Sequence, residues 1–255
     1  MEKANRWKLK KPILFLFWGL ILVGFIGFIE NKAGQKTFSG LEVYIKGISD
    51  VYFVDEKEVI SLLKNAFPAL EKNGTSEEIP LHELEKMVEN HPFIKNAEVF
   101  MDLRGKVIVK VSQHVPLARI VRPLAADGYI SMEGKILPTS SKYTSRVVVI
   151  EGRKATELLQ QKDLTASHPD LMNLLHFIDR DKFWKAQISG MEIQVNGDVN
   201  LNQQVGKQTI EFGKPKEIEL KFKKINTFYK KIVPLKGWNT YSRVNVKFKD
   251  QIICE

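Results

Sequence analysis

The sequence predicts a single N-terminal transmembrane helix followed by an α+β ectodomain, made of a βααββ unit and a second, mixed β-rich domain with a C-terminal edge strand. Three observations predict this fold class. Residues 12–29 carry no charge, residues 41–111 alternate signals for strands and helices, and residues 243–254 alternate in polarity as a strand does. The order of these signals places two small folded domains after one apolar segment.

The composition is that of a folded protein rather than a disordered one. Of the 255 residues, 44% are apolar and 27% are charged, which is enough apolar material for one large core or two modest ones. The formal net charge is +9, but the first eleven residues, with five basic side chains against Glu2, contribute +4 of it. The remaining +5 gives little reason to expect nucleic acid as a partner. Cys254 is the only cysteine, which excludes an intramolecular disulfide.

The apolar run from Pro12 to Ile29 is predicted to be the transmembrane helix. Its 18 residues would extend over roughly 27 Å as a helix, close to the hydrocarbon thickness of a bilayer. A cleaved signal peptide is the first alternative, but its apolar region is normally shorter, and residues 30–34 lack a small-x-small cleavage site. A buried core helix is the second alternative. With the anchor in place, residues 1–11 form a basic tail in the cytoplasm, residues 30–38 form a juxtamembrane linker, and the rest of the chain is exported.

Residues 39–115 are predicted to form the compact βααββ unit, with two helices covering one face of a three-stranded sheet. The first helix has a clear start signature, because Asp55 can cap it and Glu58 can reach back to the cap. The other predicted elements are a strand at 41–45, a second helix from about residue 81 that Pro92 ends, and a hairpin that turns at 102–105.

Residues 116–255 are predicted to form the second domain, which is rich in strands. Strands are expected at 146–150, 188–195 and 208–212, and a helix with a leucine-rich buried stripe opens at 167–170. A further helix, with apolar residues from Ile218 to Ile232 at steps of four and three, is expected to end before Pro234. Arg243 to Cys254 are predicted to form one continuous C-terminal strand.

Five stretches of the sequence, taken together, are similar to a known family: residues 43–47, 53–59, 91–99, 109–119 and 128–138. They resemble the FtsQ/DivIB family of bacterial cell-division proteins, in which a membrane anchor precedes a POTRA domain and a β-domain. They occur in order behind the predicted anchor and cover most of residues 1–140. Gln113 stands where the family often has an acidic residue, and a longer insertion follows Gly47. These two departures leave the subfamily open.

The resemblance implies a bitopic scaffold protein of the divisome, which gathers division partners outside the cytoplasmic membrane and links them to septal wall synthesis at the division septum. In this family the final strand lies at the open edge of the β-domain sheet and binds FtsB there. The implied partners are FtsB/FtsL-like division proteins, which would add to the sheet as a β-strand. The residues that would bind them are Tyr241, Arg243, Val244, Val246, Lys247, Phe248, Lys249, Asp250, Gln251 and Ile252.

Backbone geometry adds an expectation for this final strand. Successive N–H groups of a strand point to opposite sides, so one of Lys247 and Phe248 would donate into the domain's own sheet and the other would point outward. Proline lacks this donor. Of the two proline substitutions, one should therefore destabilise the domain, and the other should weaken only the capture of the partner.

The residue patterns show no catalytic, metal or cofactor site, and they predict a protein that is not an enzyme. Cys254 would be a nucleophile only beside a histidine brought near it by the fold, and an ordinary strand residue is the preferred interpretation. Nine lysines between Lys207 and Lys236 stand against three glutamates, and a solvated helix face is favoured over a surface for an anionic partner or lipid. The five histidines lack an HExxH or other short paired spacing and are predicted to be surface residues: His82, His91, His114, His168 and His176.

Two other function classes stay open. One is a POTRA-bearing chaperone, secretion or envelope-assembly component, and the other is a membrane-anchored enzyme that acts on the cell wall. Depletion of the protein distinguishes a scaffold from an assembly factor, because loss of a division scaffold should give filaments, whereas loss of an outer-membrane assembly factor should give envelope leakage.

Overall fold

The computed structural model describes residues 15–26, 38–46, 52–71, 79–123 and 126–255. The ends of the predicted transmembrane helix, Pro12 and Ile29, lie outside these residues, as do the basic tail and most of the linker. Residues 15–26 form a helix (α1) whose large apolar side chains are exposed. Within the described part of the chain, no helix is both long enough and apolar enough to cross a membrane.

Internal contacts divide the chain into two compact units, the first comprising Met1–Lys46 and Val54–Ser112 and the second Gly47–Phe53 and Gln113–Glu255. The first unit has the predicted βααββ order, with the strand order β1-β3-β2 and with β1 parallel to β3. Its elements are β1 (Gly40–Lys46), α2 (Glu56–Ala66), a short 3-10 helix (Pro68–Glu71), α3 (Leu81–Glu89), β2 (Ile94–Met101) and β3 (Lys106–Gln113).

Local sequence signals account for the elements of the first unit. The predicted cap of α2 is confirmed, since the N–H of Glu58 donates to Oδ1 of Asp55 over 2.8 Å. Both helices turn an apolar stripe inward, with Leu63 and Leu84 fully buried. On the sheet, Val107, Val109 and Val111 alternate with lysines or an isoleucine and are also fully buried. The apolar stripes of α2 and α3 and the valine face of β3 together form the apolar core of this unit.

The second unit is built on a nine-stranded mixed sheet with the strand order β12-β11-β10-β9-β8-β7-β4-β5-β6. The pairs β4/β7, β7/β8 and β10/β11 are parallel, and the other neighbours are antiparallel. The strands are β4 (Pro116–Ile120), β5 (Gly128–Ser131), β6 (Ile136–Pro138), β7 (Val148–Glu151), β8 (Ile188–Ile193), β9 (Val199–Gln203), β10 (Thr209–Gly213), β11 (Arg243–Asn245) and β12 (Ile253–Cys254).

Helices of the second unit pack their apolar side chains into the same core as the sheet. The predicted helix opening at 167–170 is confirmed, and the leucine-rich stripe of that helix is buried. The predicted strands at 188–195 and 208–212 are β8 and β10. The helices are α4 (Arg153–Leu158), α5 (Leu164–Ser167), α6 (Pro169–Arg180), α7 (Lys182–Gln187), α8 (Ile218–Thr227) and α9 (Val233–Lys236).

The prediction that the last long helix ends before Pro234 is wrong. Helix α8 continues as a π-helical turn (Phe228–Ile232), in which the N–H of Val233 donates to the carbonyl of Phe228, and α9 follows directly. Pro234 then stands in the first turn of α9, where a missing N–H removes no necessary hydrogen bond. The wider π-helical turn therefore lets the helical path run through the proline.

Candidate functional site

The predicted partner-binding segment enters the sheet at β11. This strand pairs in parallel with β10, with Val244 opposite Ile210, and both side chains are fully buried. One further bond follows, from the N–H of Val246 to the carbonyl of Glu211 at 3.1 Å, and Val246 is fully buried as well. Tyr241, just before the strand, is partly buried against the same core. These three predicted binding residues therefore serve the core of the domain.

The prediction of one continuous strand from Arg243 to Cys254 is wrong. Strand β11 ends at Asn245, the chain turns at residues 248–250, and β12 returns antiparallel to β11. Arg243 and Val244 are thus in an interior strand, flanked by β10 and β12. The edge position belongs to Ile253 and Cys254, which the predicted binding set did not include.

Strand β11 stops pairing with β10 at Asn245, opposite Glu211, although β10 continues to Gly213; at this point the register of β10 against β9 shifts between Glu211 and Gly213. Gly213, at the end of β10, has φ +72°, and a Cβ there would lie 2.6 Å from Cγ of Lys247. The N–H of Lys247 instead donates to Oδ1 of Asn245 at 3.0 Å. From α8, the ammonium of Lys224 donates to the carbonyls of Val246, at 2.8 Å, and of Phe248.

The expectation that proline at Lys247 and proline at Phe248 would have different effects therefore loses its basis. Lys247 and Phe248 are not paired strand residues, so their N–H groups are not divided between a sheet side and a solvent side. The remaining predicted binding residues lie in or beside the turn. Phe248 is 48% exposed, Ile252 is partly buried against the core, and the polar turn residues are exposed: Lys249, Asp250 and Gln251.

Strand β12 leaves one side of its backbone open. The N–H of Arg243 donates to the main-chain oxygen of Glu255 at 3.0 Å, and the N–H of Glu255 donates to the carbonyl of Arg243 at 3.0 Å. In an antiparallel ladder the next residue pair, Val244 and Cys254, then directs its N–H and C=O groups away from each other. The main-chain groups of Cys254 therefore face outward, and no described residue bonds to them. This is the geometry that strand addition requires.

A charged cluster fixes the β10–β11 junction beside this edge. Glu211 accepts from Nε of Arg243 at 2.8 Å and from Nδ2 of Asn245 at 2.8 Å, and its carboxylate lies 3.2 Å from Nζ of Lys247. Burial alone would raise the pKa of Glu211, but the hydrogen bonds and charges of Arg243 and Lys247 outweigh it and lower that pKa. The Glu211 carboxylate in turn raises the pKa of Arg243. Sequence reasoning missed Glu211 because its partners are more than thirty residues away.

The lysine-rich segment is not simply a solvated helix face. Lys221 is 5% exposed, its ammonium donates to the carbonyl of Lys214 at 2.7 Å, and it lies 4.7 Å from the centre of the Phe212 ring. Burial lowers the pKa of Lys221. Lys221 and Lys224 show that the prediction of a solvated helix face does not hold for every lysine of the segment. Two of the nine lysines hold the backbone around β10 and β11, and a sequence pattern gives no signal for such a role.

Titratable groups elsewhere give no sign of a reactive centre in the described residues. No group of three or more histidine, cysteine or acidic side chains there could hold a metal ion. His114 corrects the prediction of five surface histidines, because it is only 6% exposed, with Nδ1 3.1 Å from Oε2 of Glu133. Burial raises the pKa of the Cys254 thiol, which keeps the thiol protonated near neutral pH.

The fold and the edge together define a class of protein, in which a small α+β unit precedes a sheet domain that offers an edge strand for pairing. Residues 37–112 match the family model described as a POTRA-like domain, and residues 115–255 match the model described as FtsQ/DivIB, C-terminal related. The second match covers more than half of the chain, so the chain belongs to the FtsQ/DivIB, C-terminal related family. The predicted family resemblance is thus confirmed. No curated protein matches the sequence.

Proposed function

We propose that the protein is a non-catalytic, single-pass scaffold of the cell-division machinery, which binds FtsB/FtsL-like division proteins outside the cytoplasmic membrane by β-strand addition at β12. The observation that carries this proposal is the open backbone of Cys254 at the edge of a sheet domain that the FtsQ/DivIB model matches. The docking position differs from the predicted one by a single strand, because β12 and not β11 lies at the edge.

The membrane anchor is part of the proposal, and two observations support it. Residues 12–29 carry no charge and follow a basic segment. Helix α1, which covers residues 15–26 of this run, exposes large apolar side chains around its circumference, including Phe17 at 61% and Trp18 at 64%. A helix with this surface is stable only when apolar material surrounds it, and the hydrocarbon of a bilayer provides that material.

Strand addition at β12 would use main-chain bonds for affinity and nearby side chains for specificity. Phe248 and Ile252, in the turn that leads into β12, present apolar surface next to the edge. Arg243 and Lys247 lie beside this edge, where both pair with Glu211 and Arg243 also pairs with Glu255 at 3.4 Å, so their charges are balanced. An extended partner segment with a small apolar anchor therefore fits the edge.

Two proline variants test the docking edge in the full chain. Cys254→Pro removes an N–H that the sheet does not use, so the thermal midpoint should stay within a few degrees of the parent value while capture of FtsB/FtsL-like partners from solubilised membranes falls at least about tenfold. Glu255→Pro removes the N–H that bonds to Arg243, so it should loosen β12 and lower both capture and the thermal midpoint.

Cys254→Ser is the matched control, because it keeps the N–H and changes only the side chain. It should capture partners as the parent does. Parental capture by Cys254→Pro, in a chain that remains folded, would show that the edge of β12 is not the docking site.

A further inference from the structure

A cavity of about 630 Å³ opens on the second unit between α7, the π-helical turn and the segment before β11. Four aromatic side chains line it, together with a small number of polar groups. The aromatic residues come from three separate stretches of the chain and are Phe183, Trp184, Tyr229 and Trp238. Neither the docking edge nor the charged cluster uses any of them.

The four rings form a floor and a rim. Trp184 and Tyr229 are 7% and 8% exposed and make the floor, whereas Phe183 and Trp238 are 52% and 42% exposed and stand at the rim. The ring centres of Phe183 and Trp184 are 4.9 Å apart, and those of Tyr229 and Trp238 are 5.7 Å apart. Aromatic surface in this concave form is costly to expose and is typical of a binding site.

The polar groups behind the floor hold it in place. Nε2 of Gln187 donates to the carbonyl of Val205 at 3.0 Å, and the Tyr229 hydroxyl donates to Oε1 of Gln203. Burial raises the pKa of Tyr229 to about 12, so the hydroxyl is neutral under ordinary conditions. Tyr229 also lies within the π-helical turn, an irregularity that occurs frequently at functional sites.

The charges around the cavity are almost all positive. Asp181 is the one acidic residue in the lining, and its carboxylate already accepts from the N–H groups of Phe183, at 2.8 Å, and Trp184, at 3.1 Å, as the cap of α7. Five exposed lysines lie on the lining segments or directly beside them, and none forms an ion pair with a described residue: Lys182, Lys207, Lys230, Lys231 and Lys236. A ligand of this site would bind more tightly if it carried negative charge.

We propose that this aromatic cavity is a second docking site, independent of β12, for an extended acidic protein segment that carries an aromatic or proline anchor. The anchor would insert between Phe183 and Trp238 and pack on the floor rings. Acidic residues on either side of the anchor would meet Lys230 and its neighbours. The cavity is concave and backed by fixed amide groups, and this shape suits an inserted side chain better than the flat surface of a membrane.

The two tryptophans of the site make binding directly measurable. The chain has four tryptophans, and the variant Trp7→Phe/Trp18→Phe leaves only Trp184 and Trp238. We would hold this full chain in phosphatidylcholine nanodiscs and titrate it with a glutamate/serine peptide that carries one phenylalanine. The emission should shift to shorter wavelength and saturate, and the affinity should fall as salt is added. Peptides with lysine in place of glutamate, or with serine in place of phenylalanine, should cause no shift.

Surface variants locate the binding. Phe183→Ser and Lys230→Glu should each weaken the peptide affinity, the first by at least about tenfold. Leu103→Ser, at an apolar site of the first unit that is even more exposed than Phe183, and Lys223→Glu, an exposed lysine of α8 outside the lining, are the controls and should leave the affinity unchanged. Cys254→Pro should also bind the peptide normally, which separates this site from the β12 edge.

Three results would overturn the proposal. The first is that the acidic phenylalanine peptide causes no emission shift. The second is that the peptide still causes the full shift in the Phe183→Ser variant. The third is that added phosphatidylglycerol vesicles cause a shift and the peptide does not. The last result would assign the cavity to an anionic lipid surface.

Discussion

At one edge of the nine-stranded sheet β6 ends in Pro138, whereas at the other edge β12 presents the backbone of Cys254. The N–H of Ser131 bonds to the carbonyl of Lys135 at 2.9 Å, and alternation along the β5–β6 register then directs the backbone of Pro138 outward. Proline has no N–H to offer there. Near the turn between β5 and β6 the same edge is also covered, because the backbone of Lys135 forms an isolated antiparallel β-bridge with the backbone of Asp163.

This difference shows that the domain closes one edge with its own chain and leaves the other available. An uncovered edge strand risks pairing with any extended chain, so natural proteins usually block it. Here β12 is only two residues long, and the short strand limits unspecific pairing while it keeps one outward donor and acceptor. Under the proposed function, the one short open edge would be the place where the sheet accepts a partner strand.

The largest effect should come from breaking the strand that supports the open edge. Val244→Asp places a carboxylate at a fully buried position of β11, among the apolar side chains of the core. We expect a loss of about 4 kcal/mol or more in the free energy of unfolding, measured by urea denaturation of the full chain in detergent. Ile136→Asp on β6 is the matched variant, and since Ile136 is only partly buried it should lose much less. If both variants lost the same free energy of unfolding, β11 would be no more firmly anchored in the core than β6.

A smaller effect should follow from Glu211, and it depends on pH. The folded-state pKa of this carboxyl is lowered from 4.5, so its stabilising contribution is complete above that value and is lost as the pH falls through the lowered pKa. We expect Glu211→Gln to cost about 1 kcal/mol at pH 7, because Arg243 is largely exposed and solvent weakens the ion pair. The difference between parent and variant should shrink as the pH falls below about 4. A difference that stays constant with pH would exclude the carboxylate as the cause.

The smallest effect on stability should come from Pro138, and it tests the blocked edge directly. Pro138→Thr restores an outward N–H without removing a bond of the β5–β6 ladder, so the free energy of unfolding should change by less than about 0.5 kcal/mol. The new donor should nevertheless increase concentration-dependent self-association, measured by analytical ultracentrifugation in detergent. A variant that remains as monodisperse as the parent would show that Asp163 and its neighbours close this edge without the proline.

The sequence alone determined the features that depend on neighbours along the chain. Asp55 predicts the start of α2 because a side-chain cap acts within three residues, and the alternation at 107–111 predicts β3 because successive strand residues face opposite sides. The membrane anchor also rests on a local signal, a run of uncharged residues, and it stays a prediction. The order of these elements carried the family resemblance that the match over residues 115–255 confirms.

Only the tertiary structure decided where the last strand breaks and which residues form sites. The alternating pattern from Arg243 to Cys254 is compatible with one strand, but pairing with β10 stops at Asn245, where the register of β10 against β9 shifts and Gly213 takes a left-handed φ of +72°. Lys224 then captures the freed carbonyls from a helix that precedes the strand in sequence. In the same way the aromatic cavity joins Phe183 to Trp238 across fifty-five positions. Such contacts depend on packing between distant elements, which no local period in the sequence records.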